Sequence, residues 1–432
     1  MRISLLVFFM ISFAGAQSLE DIVLKAMQNN YKLKSLEHSI KASKYRKQGA
    51  MSNFFPSLSA SGSYGKDKYH YEYPTRKIYY DSSVTSYSIS MKQPLYEPKI
   101  YAMIHETKLK EKYAKLQKEA FTNDLLREIT NTYIEGVSLR SLIALSQKKS
   151  FNNQKMVRDI KRKMELHLAA KSDYLYAIAK YEQAKSDVSQ FRLALQNVIR
   201  KLSLLTNDII DDITFSDISD SVLNIELPKT DIEKNPELML YSLNTSIAKN
   251  EIQKRRYQRY PSLDLSVSYG DTVSGDSITR RSNSRAFLEL NLPIFNAPLN
   301  HSIKEAIELY NSAKYDYLDR KNNFAIQKKQ SATNIVSYQK MLQADNQNIE
   351  SYATYLKKAK LSYENHLISI IDFYKAQNDY YDAVMQMIKH KKTLLQEYVN
   401  YLSIGGKLDL QQAVMIQFLY LKKRSLYGDS ND

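Results

Sequence analysis

No proline occurs between Pro98 and Pro228, and none follows Pro298. Gly136 is the only glycine in the first of those spans, and the second holds none before Gly405. Proline fixes φ and lacks an N–H, and glycine loses the most freedom on ordering, so spans that exclude both can run as unbroken helix. Apolar residues there recur at three and four, as in Leu109, Tyr113, Leu116 and Ala120, then Leu126, Ile129, Tyr133 and Val137. One stripe therefore packs on a partner helix. Helices over 99–168 and 299–366 would each measure on the order of 100 Å. Each must be followed by a return helix, 172–205 and 371–402, to bury its stripe; in the first copy that stripe is Ile178, Tyr181, Val188, Leu195, Val198 and Leu202. Shorter helices are expected over 19–50 and 235–258.

The prolines instead sit in a central linker or beside segments of period two. From Leu263 to Tyr269 every second residue is apolar, with Asp264, Ser266 and Ser268 between. The alternation returns as Ala286, Leu288, Leu290, Leu292 and Ile294, with Glu289 and Asn291 opposite. Strands over 261–270 and 285–295 thus form a hairpin of about ten residues a strand, a length that suits a tilted membrane strand. An earlier hairpin repeats it, over 56–65 and 84–96. Phe55-Pro56-Ser57-Leu58 corresponds to Tyr260-Pro261-Ser262-Leu263, and Asn30-Tyr31-Lys32-Leu33 to Asn235-Pro236-Glu237-Leu238, both at an offset of 205. Past the hairpin loop the offset is 199, from Gln93-Pro94-Leu95-Tyr96 against Leu292-Pro293-Ile294-Phe295 through to Ser172-Asp173-Tyr174 against Ile371-Asp372-Phe373. The chain is a tandem repeat, 17–206 and 235–404, whose loop tolerated a length change that its long helix did not.

Between the copies, 207–234 reads as an acidic, irregular linker or a small side domain, and 405–432 as a C-terminal segment and tail, disordered from Lys422 on. Residues 1–16 carry a charge, an apolar run and a small-residue exit, Ala14-Gly15-Ala16, which is the pattern of a secretory signal peptide. There is no cysteine, so neither a disulfide framework nor a cysteine-ligated metal is expected. No apolar run after the signal reaches the length of a membrane helix, and mean hydropathy is −0.48. Alternating strands are the one remaining way across a membrane.

The formal charge of +16 raises nucleic acid as a partner, but lysines are scattered among acids along the helices and no groove-reading motif is present. The seven histidines show no metal-ligand spacing, there is no glycine-rich phosphate loop, and no paired-carboxylate site emerges. No enzyme activity, cofactor or metal is expected. Tyr69, Tyr71, Tyr73, Tyr79 and Tyr80 crowd the first hairpin loop, where they suit a membrane interface or an extracellular loop contact.

Four strands cannot close a barrel, and lipid tolerates no open sheet edge, so the chain must oligomerise. Two copies would give eight strands and three would give twelve, and only the larger barrel leaves a water-filled lumen, continued by helices. The competing reading is a secreted or periplasmic structural coiled-coil protein.

The Pro-Ser-Leu strand starts at Pro56 and Pro261, the Gln93-Pro94-Leu95-Tyr96 and Leu292-Pro293-Ile294-Phe295 exits, and the turn from Leu361 through Asn365-His366-Leu367 to Asp372-Phe373-Tyr374 give the chain a resemblance to the TolC-like outer membrane efflux proteins. The resemblance covers nearly the whole mature length. It implies a mainly α fold with a small β part: a homotrimer whose β-hairpins build a twelve-stranded barrel in the Gram-negative outer membrane, and whose long helices form a coiled-coil α-barrel, a periplasmic tunnel. Segment 207–234 becomes an equatorial element. Such channels work passively with a periplasmic adaptor and an inner-membrane pump, in tripartite efflux or type I secretion. Tyr363 stands where the family has its gate tyrosine, and Asp372 where it has an acidic lumen ring; Lys375, Asp379 and Asp382 follow on the same face at steps of three and four. Asp173 is the first-copy counterpart of Asp372. His167, Leu168, His366 and Leu367 become adaptor-contact tips. Ile368 replaces the family's gate arginine, Lys375 replaces a second ring acid, and His167 and His366 replace turn glycines that accept positive φ. Asn365 is the expected carrier of that conformation in the second copy.

Overall fold

A computed structural model describes residues 17–214, 216–275 and 279–423. The expected signal, 1–16, and the tail from Arg424 lie outside the described residues. The chain divides into two compact units: one takes the residues up to Ser35, Lys118–Leu238 and those from Lys321, the other Leu36–Gln117 and Met239–Arg320.

The elements in chain order are α1 Leu19–Asn29, α2 Tyr31–Ser52, β1 Ser57–Tyr73, β2 Arg76–Tyr96, α3 Pro98–Glu165, α4 Lys171–Thr206, β3 Ser216–Ile218, α5 Pro236–Tyr257, β4 Ser262–Ser274, β5 Thr279–Asn291, α6 Ala297–Glu364, α7 Ile370–Ile404, α8 Leu410–Tyr420 and β6 Leu421–Lys423. Helices α3 and α6 are each 68 residues long. The helix expected over 19–50 is two helices, because Asn30 stops one and starts the next. Its side chain accepts from the N–H groups of Lys32 (2.9 Å) and Leu33 (3.1 Å) and donates to the carbonyl of Leu205 (2.8 Å), where α4 ends. Asn235 repeats this device, accepting from Glu237 and Leu238 and donating to the carbonyls of Ser403 and Ile404 at the end of α7. An N-terminal cap is thereby tied to the C-terminus of the return helix in both copies.

In the strand-bearing unit the sheet order is β1-β2-β4-β5, every pair antiparallel. Register fixes what each face shows. Leu58, Met91, Val267 and Ala286 form one row of the apolar face, and Ser59, Ser90, Ser268 and Arg285 one row of the other. Strands β1 and β5 are the sheet's edges, with no further strand beside them among the described residues. The strands are longer than the ten residues expected, at 17, 21, 13 and 13. The tyrosines assigned to the first hairpin loop lie in β1 and β2, which pair as far as Tyr73 with Arg76. Beyond Tyr64 the ladder is held by polar and aromatic cross-strand pairs, Lys68 with Asp81 at 3.0 Å and His70 against Tyr79 at 4.3 Å, so apolar alternation was absent there while pairing continued. Strand β5 ends at Asn291, short of the expected 295, where Pro293 has no N–H to donate. Around the sheet's helices, Glu106 takes Lys254 at 2.9 Å, and Glu111 takes Lys47 (2.9 Å) and Lys115 (2.8 Å).

The other unit holds the main core, with Leu19 and Ile22 of α1, Ile129 and Tyr133 of α3, Leu202 of α4, and Leu394 and Val399 of α7 all buried. Segment 207–234 is no loose linker. It buries Ile210, Ile213 and Val222 in that core, forms 3₁₀ turns at Asp220–Asn224 and Ile232–Lys234, and contributes β3, which pairs with β6. That ladder places Lys422 and Lys423 in a strand, where disorder was expected. Gly136 has a tertiary cause: a Cβ there would lie 2.4 Å from Cδ1 of Ile213 and 3.0 Å from Cγ1 of Val198. Among the described residues no helix is long and apolar enough to cross a membrane.

Candidate gate and docking site at the helix turns

Both long helices end in the same turn. The N–H of Leu168 reaches the carbonyl of Lys163 (2.7 Å) and that of His167 the carbonyl of Met164 (3.0 Å); Leu367 to Ser362 (2.8 Å) and His366 to Tyr363 (3.0 Å) repeat the pattern. Crossed bonds of this kind form a Schellman cap and require a left-handed residue at its centre. His167 and His366 are that residue, at φ 58° and 59°. The expectation that Asn365 takes this conformation is corrected: it stays in the helix terminus and its amide donates to the carbonyl of Leu361 at 2.9 Å. A side chain in this region costs roughly 1–2 kcal/mol that glycine avoids. The turns present Leu168 and Leu367 at 72% and 75% exposure, so all four expected tip residues stand in solvent in this chain.

The return helices start alike as well. Asp372 exchanges two bonds with Ser369, its N–H donating to the hydroxyl (3.1 Å) and its carboxylate accepting from it (2.7 Å). Asp173 accepts from the N–H of Ala170 at 3.3 Å. Both acids therefore stand in the first turn of their helices and bond back to the capping residue, where the helix dipole favours a negative charge. Farther along α7, Asp382 accepts from the ammonium of Lys149, which is buried on α3, at 2.6 Å. Lys375 is exposed and Asp379 half-buried. Of the stripe 372, 375, 379 and 382, two acids thus have local work within one chain.

A small apolar cluster lies behind the turns, built from Met156 and Ile160 of α3, Ala177 of α4, and Ile370 and Tyr374 of α7. Tyr363 packs on it, stacked on Phe373 with ring centroids 5.5 Å apart and planes 12° from parallel, and the Lys163 ammonium lies 5.0 Å from its ring. The Tyr374 hydroxyl donates to Asp159 at 2.9 Å. Burial, and then that carboxylate, push the Tyr374 phenol well above its ordinary range. One step along, the Asn152 amide donates to the hydroxyl of Tyr381 (2.6 Å), whose phenol burial also raises. Sequence reasoning missed Asp159, Tyr374, Phe373 and Lys149. Their contacts join residues far apart in the chain, so no local spacing marks them. The capping role of Asp372 was readable, since Ser-x-x-Asp ahead of an apolar run is a helix-start signature. Among the described residues no group of histidines and acids could hold a metal ion.

Residues 227–406 match the outer membrane efflux protein family. The chain is 21% identical to the outer membrane protein TolC of Escherichia coli K12 over 366 residues, spanning 78% of this chain and 72% of that protein. TolC of Salmonella enteritidis is likewise 21% identical, over 363 residues and the same shares. Among solved structures, CusC superposes with a TM-score of 0.79 at 14% identity, covering 90% of this chain and 92% of that one. The Campylobacter jejuni CmeC outer membrane channel gives 0.78 at 15% identity, covering 92% and 88%. VceC of Vibrio cholerae gives 0.77 at 15%, covering 90% and 96%.

Proposed function

We propose that this chain is a TolC-like outer membrane efflux protein, three copies of which form the exit duct of a tripartite efflux or type I secretion system. It resides in the Gram-negative outer membrane with a periplasmic tunnel. The observation that carries the trimer is the sheet: one face apolar, one polar, and no further strand beside β1 or β5 among the described residues. An apolar face in lipid demands that every backbone group find a partner, and sister strands at both edges supply them. Four strands a chain make a twelve-stranded barrel. The apolar face also disfavours a soluble rod: Leu58 on β1 and Leu288 and Leu290 on β5 are 74%, 64% and 68% exposed, and large apolar side chains left bare across a sheet face suit contact with lipid or protein.

The helix turns are the closable inner end. There the stack of Tyr363 on Phe373 holds α7 against α6, and the Tyr374–Asp159 bond and the Lys149–Asp382 pair hold α7 against α3. Asp173, Asp372, Lys375 and Asp379 are proposed to line the lumen near it. His167, Leu168, His366 and Leu367 are proposed to contact a periplasmic adaptor, which couples the duct to an inner-membrane pump. The duct itself conducts passively. Purified protein added to a planar bilayer tests this: discrete, long-lived conductance steps are expected, and a membrane that stays silent at all protein concentrations refutes the reading.

A further inference from the structure

The charges on the polar face of the sheet are sorted by level. Nearest the helices, Lys92 and Asp264 form a bridge at 2.9 Å, with Glu289 opposite Asp264 in register. Toward the hairpin ends lie Asp67, level with Ser82, and Arg76. Between those levels the face carries two charged side chains, Arg285 in the row of Ser268, Ser90 and Ser59, and Arg281 in the row of Thr272, Ser86 and Ser63. No carboxylate shares those rows. The nearest acid along β4, Asp271, points to the opposite face, where its buried carboxylate takes Arg280 at 2.5 Å and the hydroxyl of Tyr87 at 3.3 Å.

The rest of this level is hydroxyl. Ser59 pairs with Ser90 at 2.8 Å, Ser61 with Ser88 at 2.9 Å, and Ser86 with Thr272 at 3.2 Å. One proton serves each pair, which leaves the second hydroxyl free to donate outward. Ser61, Ser63, Ser86, Ser88, Arg281 and Arg285 line a concavity of ≈ 470 Å³, whose lining also includes Asp271. Forked guanidinium donors beside hydroxyl donors, with the nearest carboxylate, Asp271, already engaged by Arg280 and Tyr87, are the chemistry that takes carboxylate or phosphate oxygens.

We propose that these rows form an anion-binding belt, in which Arg281 and Arg285 supply the charge and the serine rows the remaining donors, and that the duct favours solutes bearing carboxylate or phosphate groups. The proposal rests on the reading of this sheet as barrel wall with its polar face inward. Threefold assembly would then ring the lumen with both arginines, where low-dielectric walls focus their field.

The test uses the whole protein in a planar bilayer under a KCl gradient of about tenfold, low enough in salt to keep screening modest. Wild type is expected to pass chloride over potassium, and R281Q/R285Q to lose about threefold or more of that preference, as expected for removing the belt's charge. Sodium tripolyphosphate added on the hairpin side is the second probe. It should reduce wild-type current, with about tenfold weaker potency on R281Q/R285Q and unchanged potency on K92Q, which lies outside the belt. If the glutamine pair fails to insert, R281K/R285K decides: full potency there contradicts a role for the guanidinium fork. Channels that form normally but keep the same reversal potential and the same block after R281Q/R285Q overturn the belt and leave the duct standing. A wild-type protein that makes no channel overturns the duct itself.

Discussion

The Tyr374 hydroxyl on α7 donates to the Asp159 carboxylate on α3 at 2.9 Å, inside the cluster on which Tyr363 and Phe373 stack. In this chain Ile368 stands where the family resemblance places an arginine, and the phenol–carboxylate bond is one of the contacts that hold α7 to α3 near the turns. Y374F removes the donor and costs about 1 kcal/mol. Single-channel conductance should rise, with the fraction of time spent in larger openings rising with it. Conductance indistinguishable from wild type would show that the bond is structural and has no part in closure.

The turns yield a prediction of opposite sign. Because His167 and His366 hold positive φ, glycine at either should stabilise the protein by about 1 kcal/mol, while H366V should destabilise it by more, since a β-branched residue tolerates that region least. Guanidinium denaturation followed by circular dichroism reads both. Lower stability in H167G/H366G would mean that the imidazoles make contacts worth more than the strain they carry.

Gly136 tests the packing of segment 207–234. G136A drives a methyl to within 2.4 Å of Ile213 and should cost about 1–3 kcal/mol. I213V, which trims the atom in the way, should recover part of that loss in the double variant. Strict additivity of the two substitutions would contradict the contact.

Glu111 supplies a pH dependence. Its bonds to Lys115 and Lys47 hold its carboxyl down, from an ordinary 4.5 to about 2. A depressed carboxylate contributes stability above its unfolded value and loses it as pH falls through the folded one. The stability gap between wild type and E111Q should therefore be constant from neutral pH to about 4.5, narrow below that, and close near pH 2. Urea titrations across this range read the gap, and a gap unchanged at the lowest pH would mean that the charge is not its source.

What the sequence disclosed was periodic or punctuated. Proline and glycine spacing marked α3 and α6, alternation marked β4, and offsets of 205 and 199 located the second copy of every part. What stayed hidden depended on partners distant in the chain. Ile210, Ile213 and Val222 lie in an acidic stretch without helical or strand period, and only their burial in the core shared with α1, α3, α4 and α7 makes them core. The outer halves of β1 and β2 pair through Lys68–Asp81 and His70–Tyr79, contacts that carry no period-two apolar signal. Tyr374 and Asp159 lie 215 residues apart. Positive φ at two histidines is a local cost that the Schellman geometry imposes, and residue preference pointed to Asn365 instead.

Everything above the single chain depends on what covers the edges of the sheet. Because the chain lacks cysteine, one engineered cysteine in β1 and one in β5 report on this without background. Pairs scanned along the two strands, in protein extracted from outer membranes with detergent and then oxidised, should link chain to chain and close into a species of three chain masses. Native mass spectrometry of the uncrosslinked protein should give the same number. A monodisperse single chain, released without detergent and with its sheet intact, would contradict the account.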